Sequence, residues 1–327
     1  MDKTNILITG TGSLIGQAVI KSINKSGIAD RVRLIGCDYF PDTVGSFWCE
    51  SNHLLPDLLK AEEEENWKAK IYEIVEKENI KVVFIGVDFE LLYFADIKED
   101  LYERFGCMVI VSDRKVIETG NDKYLTYQFL KENGINAPDT ILLDEWNKEE
   151  IFLPCIIKPR NGARSRGVEL IKDTDTLRNR KDALSGQGFI IQKAIGTMKS
   201  EYTCGILYWN GKYADSIILR RTLKEGNTAF AEFCGNTEEK IVSYIRKIGD
   251  ALTPFGSCNL QLRCDSEGDP YLFEINPRFS GTTYMRALFG YNEVEYVISR
   301  ALGWDVPDLA PKPGRIYRFY DERLVES

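Results

Sequence analysis

The chain has 327 residues, enough for about two domains of ~150 residues with a well-buried core. Hydrophobic residues make up 43%, aromatics 11% and charged residues 28%, the balance of an ordinary globular protein. A net charge of −8 and a pI near 5.1 exclude a broad nucleic-acid surface and argue against binding to an anionic membrane, leaving room for a local basic pocket.

Eight cysteines include no CxxC pair, and several sit in apolar runs such as "LPCIIK", as small hydrophobes do. His53 is the one histidine, which disfavours a zinc site. No apolar run approaches bilayer length and "MDKTNILITG" is no signal peptide, so a reduced, cytoplasmic chain is expected.

In chain order, "NILIT" reads as a short buried strand, followed by Gly10, Gly12 and Gly16 and a helix through "QAVIKSIN". "RLIGCD", "KVVFIGVD" and "CMVIVS" are further strands. Between the second and third, Trp67, Ile71, Ile74 and Val75 recur at helical spacing, behind the acidic start Glu62–Glu65. This β-α-β-α order predicts a Rossmann-like parallel sheet over residues 1–115.

"YLTYQFLKENGI" then reads as an amphipathic helix closed by Gly134. Strand-like runs follow: "PCIIKP", "GFIIQKAI", "YTCGILYW", "DSIILRR", "NLQLRC" and "PYLFEIN". One long helix interrupts them, with Ile241, Ile245, Ile248 and Leu252 on one face. The pattern predicts an α+β unit on largely antiparallel sheet.

The last two runs predict a hairpin. With its turn between Glu267 and Gly268, Gln261 faces Glu274 and Asn259 faces Asn276, because a one-residue slip sets polar side chains against apolar ones. Strict alternation then places Leu272, Glu274 and Asn276 on one side, and Phe273 and Ile275 on the other. A carboxylate among amide oxygens suits Mg²⁺, a hard cation that also takes phosphate oxygens. A solvent-facing sheet side is the plain alternative, and the neighbouring Pro277-Arg278 and other basic positions favour the metal.

Cations and backbone amides for a nucleotide lie upstream. Lys158 ends a strand, where an amine is costly to bury without an anion. In "PRNGARSRGV", Gly162 and Gly167 let backbone approach phosphate, while Arg160, Arg164 and Arg166 add charge. Val168 stands where a P-loop needs lysine, so that motif is rejected. Lys123 opens a helix that Asn121 or Asp122 can cap. Arg220 and Arg221 end an apolar strand, and either could meet a transferred phosphoryl group.

The ordered set Asp122-Lys123, Ile157-Lys158-Pro159, the glycine loop, "FIIQKAIG", "SEYT", "NLQLR" and "EINPR" resembles the ATP-grasp superfamily, particularly short proteins similar to the carbamoyl-phosphate synthase large subunit. The resemblance implies a Rossmann-like pre-ATP-grasp domain, 1–115, before an ATP-grasp domain, 116–327. The latter would have a small lid, 154–195, carrying the glycine loop, and a larger metal-binding subdomain, 196–327.

It also implies an ATP-dependent carboxylate–amine ligase. Lys123, Lys158, Gly162, Arg164, Ser165 and Gly167 would contact ATP, with Gln192, Lys193 and Ile195 at the adenine hinge and Glu201 near the ribose. Gln261, Glu274 and Asn276 would hold Mg²⁺ or Mn²⁺, with Arg278 and Arg220 or Arg221 beside the reacting phosphoryl group. The N-terminal loop and Asp88 would help bind the acceptor. The chain departs from the family in a loop poorer in glycine and richer in arginine, and in Gln192 where many relatives have glutamate. Expected partners are a small carboxylate and an amine, with no nucleic acid or membrane, and a homodimer is the default assembly.

Two other readings compete. "GTGSLIG" after a strand, with Tyr127 and Lys131 in YxxxK spacing, suggests an NAD(P)-dependent reductase or epimerase, although GxGxxxG is looser than the dinucleotide fingerprint. A non-catalytic nucleotide-binding subunit needs the lysines but not the complete metal set.

Overall fold

The computed structural model describes residues 3–147, 149, 151–162, 167–322 and 324. Strands β1 (Thr4–Thr9), β2 (Val32–Asp38), β3 (Ser51–Leu54), β4 (Val82–Phe84) and β5 (Met108–Ile110) form a parallel sheet in the order β3-β2-β1-β4-β5. Helices α1 (Leu14–Asn24), α2 (Glu64–Lys77) and α3 (Leu91–Phe105) occupy the crossovers. Trp67, Ile71, Ile74 and Val75 are the buried face of α2, as their spacing predicts. The polar edge strand β3, "SNHL", gives no such signal, and it adds a fifth strand to the four read from sequence.

Helices α4 (Arg114–Asn121) and α5 (Lys123–Glu132) lead into an antiparallel sheet. It comprises β6 (Thr140–Leu142), β7 (Cys155–Pro159), β8 (Glu169–Ile171) and β9 (Phe189–Lys193) in the order β6-β9-β7-β8, with α6 (Thr174–Leu184) between β8 and β9 in sequence. Leu177 is the one buried residue of α6, so periodicity could not reveal that helix.

The largest sheet holds β10 (Glu201–Trp209), β11 (Lys212–Lys224), β12 (Asn227–Phe233), β13 (Gly256–Cys264), β14 (Pro270–Asn276) and β15 (Gly314–Tyr317). Their order is β14-β13-β10-β11-β12-β15, and every pairing is antiparallel. Helix α7 (Glu239–Leu252) buries the predicted Ile241, Ile245, Ile248 and Leu252 against it. Each such side chain contributes roughly 1.5–3 kcal/mol of transfer free energy.

Two further helices, α8 (Thr283–Phe289) and α9 (Glu293–Leu302), were not legible in the sequence. Val294, Val297 and Ile298 of α9 share a core with Ile6 and Ile8 of β1 and Val19 of α1. The C-terminal helices therefore pack back onto the first sheet, and a shared core fixes the six-stranded sheet against the N-terminal loops.

The β13–β14 register pairs Gln261 with Glu274 and Asn259 with Asn276, as predicted. Strict alternation fails below that point. A bulge shifts the register between Gln261 and Leu262, so Leu262 faces Leu272 and Arg263 faces Tyr271. Leu272 joins Ile275 in the core, while Phe273 turns to the same cavity as Glu274. Leu272 does not share the face of Glu274, and Phe273 does not share that of Ile275.

Candidate active site

Helix α5 presents Lys123 at its first residue because Asp122 caps it, accepting from the Tyr124 amide at 2.8 Å. The second oxygen of Asp122 takes Arg160 Nη2 at 2.6 Å. Arg160 is thus directed to Asp122 and does not line the cavity where its charge was expected. Lys123 Nζ donates to the carbonyls of Arg160 and Gly162, at 3.3 and 3.0 Å, tying the helix start to the glycine loop. Burial lowers the Lys123 pKa, opposed by the charges of Glu274 and Asp122.

Lys158, near the end of β7, is only 5% exposed. Its Nζ donates to Gln192 Oε1 at 2.8 Å and to the Phe273 carbonyl at 3.3 Å. Burial brings its pKa down to about 7; Lys123 adds to the depression, Glu274 opposes it, and Arg263 adds a little more.

Lys123, Lys158, Gly162, Gln192, Lys193, Ile195, Glu201, Arg221, Gln261 and Glu274 line one cavity of about 1010 Å³. Gly162, with φ +149°, occupies backbone space that favours glycine. Gly167 packs beside Pro159 and is not on the cavity wall. Arg164, Ser165 and Arg166 lie outside the described residues.

Glu201 is 3% exposed and both its oxygens are engaged. Oε1 accepts from Arg221 Nη2 at 2.8 Å and Oε2 from Arg263 Nη2 at 2.8 Å. Arg221 Nη2 also reaches Gln261 Oε1 at 2.6 Å. Of the arginine pair, Arg221 lines both cavities. Arg220 is ion-paired to Glu238 at 2.8 Å and lines neither cavity, so the structure does not bring it to the other residues expected beside a phosphoryl group.

A second cavity, about 1250 Å³, adjoins the first along Arg221, Leu223, Gln261 and Glu274. Asn276 at the end of β14, Arg278 just beyond it, and Asp88 and Ser13 of the N-terminal unit also line it. Arg278 Nε donates to Asp88 Oδ1 at 2.5 Å and Nη2 to Asn276 Oδ1 at 3.0 Å. Burial alone would lower the Arg278 pKa, but Asp88 outweighs it and the net shift is upward.

Glu274 has no hydrogen bond or ion pair among the described residues, although Lys123, Lys158 and Arg278 all sense its charge. An unpartnered carboxylate fits a hard divalent cation, and the amide oxygens of Gln261 and Asn276, each accepting from one arginine, keep a second lone pair for it. Among the described residues no group of three His, Cys, Asp or Glu side chains could hold a metal. The oxygen set on the hairpin is therefore the candidate.

The first part of the N-terminal glycine loop is engaged by the chain itself. Asp38 Oδ2 accepts from the Gly12 amide at 2.7 Å and Oδ1 from the Tyr39 amide at 2.7 Å. A Cβ on Gly45 would sit 1.9 Å from the Thr11 carbonyl oxygen, so the chain itself packs on the loop. Tyr127 and Lys131 lie on α5 and line neither cavity.

Arg263, Phe273 and Arg318 were not assigned to the site from sequence. Arg263 could have been found by its two-residue spacing from Gln261. Phe273 reaches the wall through the bulge, its ring 5.7 Å from Lys158 Nζ and 5.8 Å from Arg263 Cζ. Arg318 comes from beyond β15, with no local signal.

A three-sheet architecture with lysines, a glycine loop and an oxygen-bearing hairpin around adjoining cavities is similar to the fold of solved ATP-grasp ligases. Residues 196–319, a little over a third of the chain, match the family described as ATP-grasp in the biosynthetic pathway with Ter operon. Among curated proteins, the chain is 24% identical over 246 residues to carbamoyl-phosphate synthase of Methanobrevibacter smithii, covering 71% of this chain and 66% of that one. It is 28% identical over 181 residues to D-alanine–D-alanine ligase of Campylobacter jejuni, covering 48% and 50%. The chain thus spans roughly half to two thirds of these relatives' length. Of the solved structures, N5-carboxyaminoimidazole synthetase from Staphylococcus aureus complexed with ADP aligns with a TM-score of 0.74 at 16% identity, covering 97% of this chain and 83% of that one. The expected fold and the resemblance to carbamoyl-phosphate synthase are both borne out.

Proposed function

We propose that the protein is an ATP- and Mg²⁺-dependent ligase that phosphorylates a small carboxylate and couples it to an amine or similar nucleophile, releasing ADP and phosphate. The observation that carries this reading is Glu274, an unpartnered carboxylate on the wall between a lysine-bearing cavity and an arginine-bearing one. The relatives agree with it: one is a D-alanine–D-alanine ligase, and one solved neighbour carries ADP.

In this reading the nucleotide lies in the first cavity, its phosphates toward Lys123 and Lys158 and its base toward Gln192, Lys193 and Ile195. Glu274, Asn276 and Gln261 would hold Mg²⁺ or Mn²⁺, which neutralises phosphate charge during transfer. Lys158 contributes a proton-bearing amine on demand, because burial has left it close to neutral. Arg278 orients the substrate carboxylate in the second cavity, and Arg221 offers positive charge at the boundary. A carboxylate oxygen attacks the γ-phosphorus as its bond to the β-bridging oxygen breaks, giving an acyl phosphate and ADP. The amine then attacks the acyl carbon, loses a proton, and phosphate departs. Glu201 is committed to Arg221 and Arg263, so it acts on the nucleotide by fixing those arginines.

The reading assigns acceptor binding to residues 1–115, closure over the nucleotide to 154–195 and the metal set to 196–327. It includes a homodimer, checked by sedimentation equilibrium, and a reducing cytoplasm, suited to eight free cysteines. Among the described residues, no helix is long and apolar enough to cross a membrane. The test is an ADP-release screen over paired carboxylates and amines, with hydroxylamine to trap acyl phosphate. Hydroxamate formation that requires both ATP and Mg²⁺ supports the proposal; failure of ADP and ATP to bind defeats it.

A further inference from the structure

The second cavity is not walled by the hairpin alone. Helix α1 starts there: Ser13, Leu14 and Ile15 lie on its wall beside Ser280, Gly281 and Arg318. Ser13 spends its hydroxyl oxygen on the Gly16 amide, and the Leu14 and Ile15 amides have no acceptor among the described residues. A Cβ on Gly281 would touch Leu14 Cβ at 3.5 Å, so the helix start and Gly281 are adjacent. Arg318 donates to the Gly281 carbonyl, which brings its guanidinium to the same place. No ion pair engages Arg318 among the described residues, and burial draws its pKa down, a penalty that an anion would relieve.

A separate observation points into this cavity. Asn259 is 2% exposed and lines the wall. Its Oδ1 accepts from Thr203 Oγ1 at 2.8 Å and from Arg286, whose own charge is balanced by fully buried Glu293 at 3.0 Å. The amide is thereby fixed with Oδ1 inward. Its Nδ2 has no acceptor among the described residues and is left as a donor toward the cavity. Asn259 consequently differs from Asn276: it offers the cavity hydrogen, not oxygen.

Arg318, the α1 amides and Asn259 Nδ2 thus offer donors to the cavity, while Asp88 is engaged with Arg278. We infer that the second cavity takes a substrate bearing a second anionic group, held by Arg318 and the α1 amides, in addition to the carboxylate that reacts beside Glu274. This inference rests on the ligase reading for its reacting end, but the anion site can be measured without turnover. Carboxylate and phosphate share the chemistry required, since both accept several hydrogen bonds from a guanidinium and from helix amides.

The test is calorimetry on the full chain with Mg–AMP-PNP filling the first cavity. Inorganic phosphate is titrated in one arm, and glutarate against its monoamide in another. The expected result is binding of phosphate, or a preference for glutarate over the monoamide, that falls about tenfold or more in Arg318→Gln. Arg318→Lys should recover most of the affinity, and both variants should melt like the wild type. A phosphate-only response identifies a phosphorylated substrate, and a glutarate-only response a dicarboxylate. Absence of both responses, or a response unchanged in Arg318→Gln, overturns the inference. Failure of AMP-PNP to bind would instead count against the ligase reading; the effect of Arg318→Gln on the anion titration would still be read without nucleotide.

Discussion

Lys158 Nζ donates to Gln192 Oε1 at 2.8 Å between neighbouring strands β7 and β9. The partner is a neutral amide. An amide accepts the hydrogen bond but supplies no countercharge, so burial prevails and the amine titrates near 7. An incoming phosphate would provide the missing charge.

Nucleotide binding should therefore take up a proton above neutral pH. At pH 8 the free protein holds Lys158 mostly neutral, and binding should draw in close to one proton; at pH 6 uptake by this group should be near zero. Calorimetry in buffers of different ionisation enthalpy measures it, and Lys158→Met should abolish the pH 8 component while weakening ADP binding. The sign for stability follows from the same shift. Between about 7 and its ordinary 10.5 the folded chain carries fewer protons here than the unfolded chain, so this residue's contribution to stability becomes more favourable as pH rises. Uptake at pH 8 equal in wild type and variant would dismiss Lys158 as the source. Gln192→Glu should reduce the uptake, because a fixed carboxylate would keep the amine charged beforehand.

Glu274 lies opposite Gln261 in the hairpin and lines both cavities. Glu274→Gln preserves shape and removes charge. ADP release should fall roughly 10²-fold or more, the scale of losing one electrostatic contact to a reacting group. The melting temperature should change little, since among the described residues no hydrogen bond or ion pair is lost. Turnover close to wild type would move the metal elsewhere.

The hairpin shows how much was legible. Pairing of Asn259 with Asn276 and Gln261 with Glu274 could be read because polar side chains had to meet. The bulge had a signal that strict alternation overrode: without a shift, Arg263 would face Leu272. Moving one residue out of register lets Leu262 meet Leu272 and brings Phe273 to the cavity. On β11, Leu223 shares the cavity face with Arg221, whereas Arg220 alternates outward. That choice required knowing which sheet face carries the site. Arg318 had no local signal, because its place depends on β15 joining the edge of the sheet some 80 residues after its partner β12 in sequence. Helices α8 and α9 escaped for a related reason: their apolar faces fit a core begun by β1 and α1.

The two adjacent arginines should differ sharply. Arg221, 8% exposed, balances buried Glu201 together with Arg263. Arg221→Ala leaves that carboxylate undercompensated and should cost about 3 kcal/mol in urea denaturation, with loss of ADP release. Arg220 is half-exposed and pairs with Glu238 on the surface. Arg220→Ala should cost less than about 1 kcal/mol and leave turnover near wild type. Equal effects would mean that β11 presents its other face to the substrate.

The N-terminal loop should not bind a nicotinamide dinucleotide. Such a site needs loop amides turned to pyrophosphate and an acid at the second strand free for ribose. Here Asp38 takes the Gly12 amide at 2.7 Å on one oxygen and the Tyr39 amide at 2.7 Å on the other, so donor and acceptor satisfy each other. The segment through Gly45 covers the same loop, with room for no side chain at that position. NADH fluorescence should show no saturable enhancement on titration with the protein. Gly45→Ala should destabilise by about 1–3 kcal/mol through steric overlap with the Thr11 carbonyl, measured by denaturant titration. Saturable NADH binding that excess ADP does not displace would restore the dinucleotide reading and require the 43–48 segment to swing away from the loop.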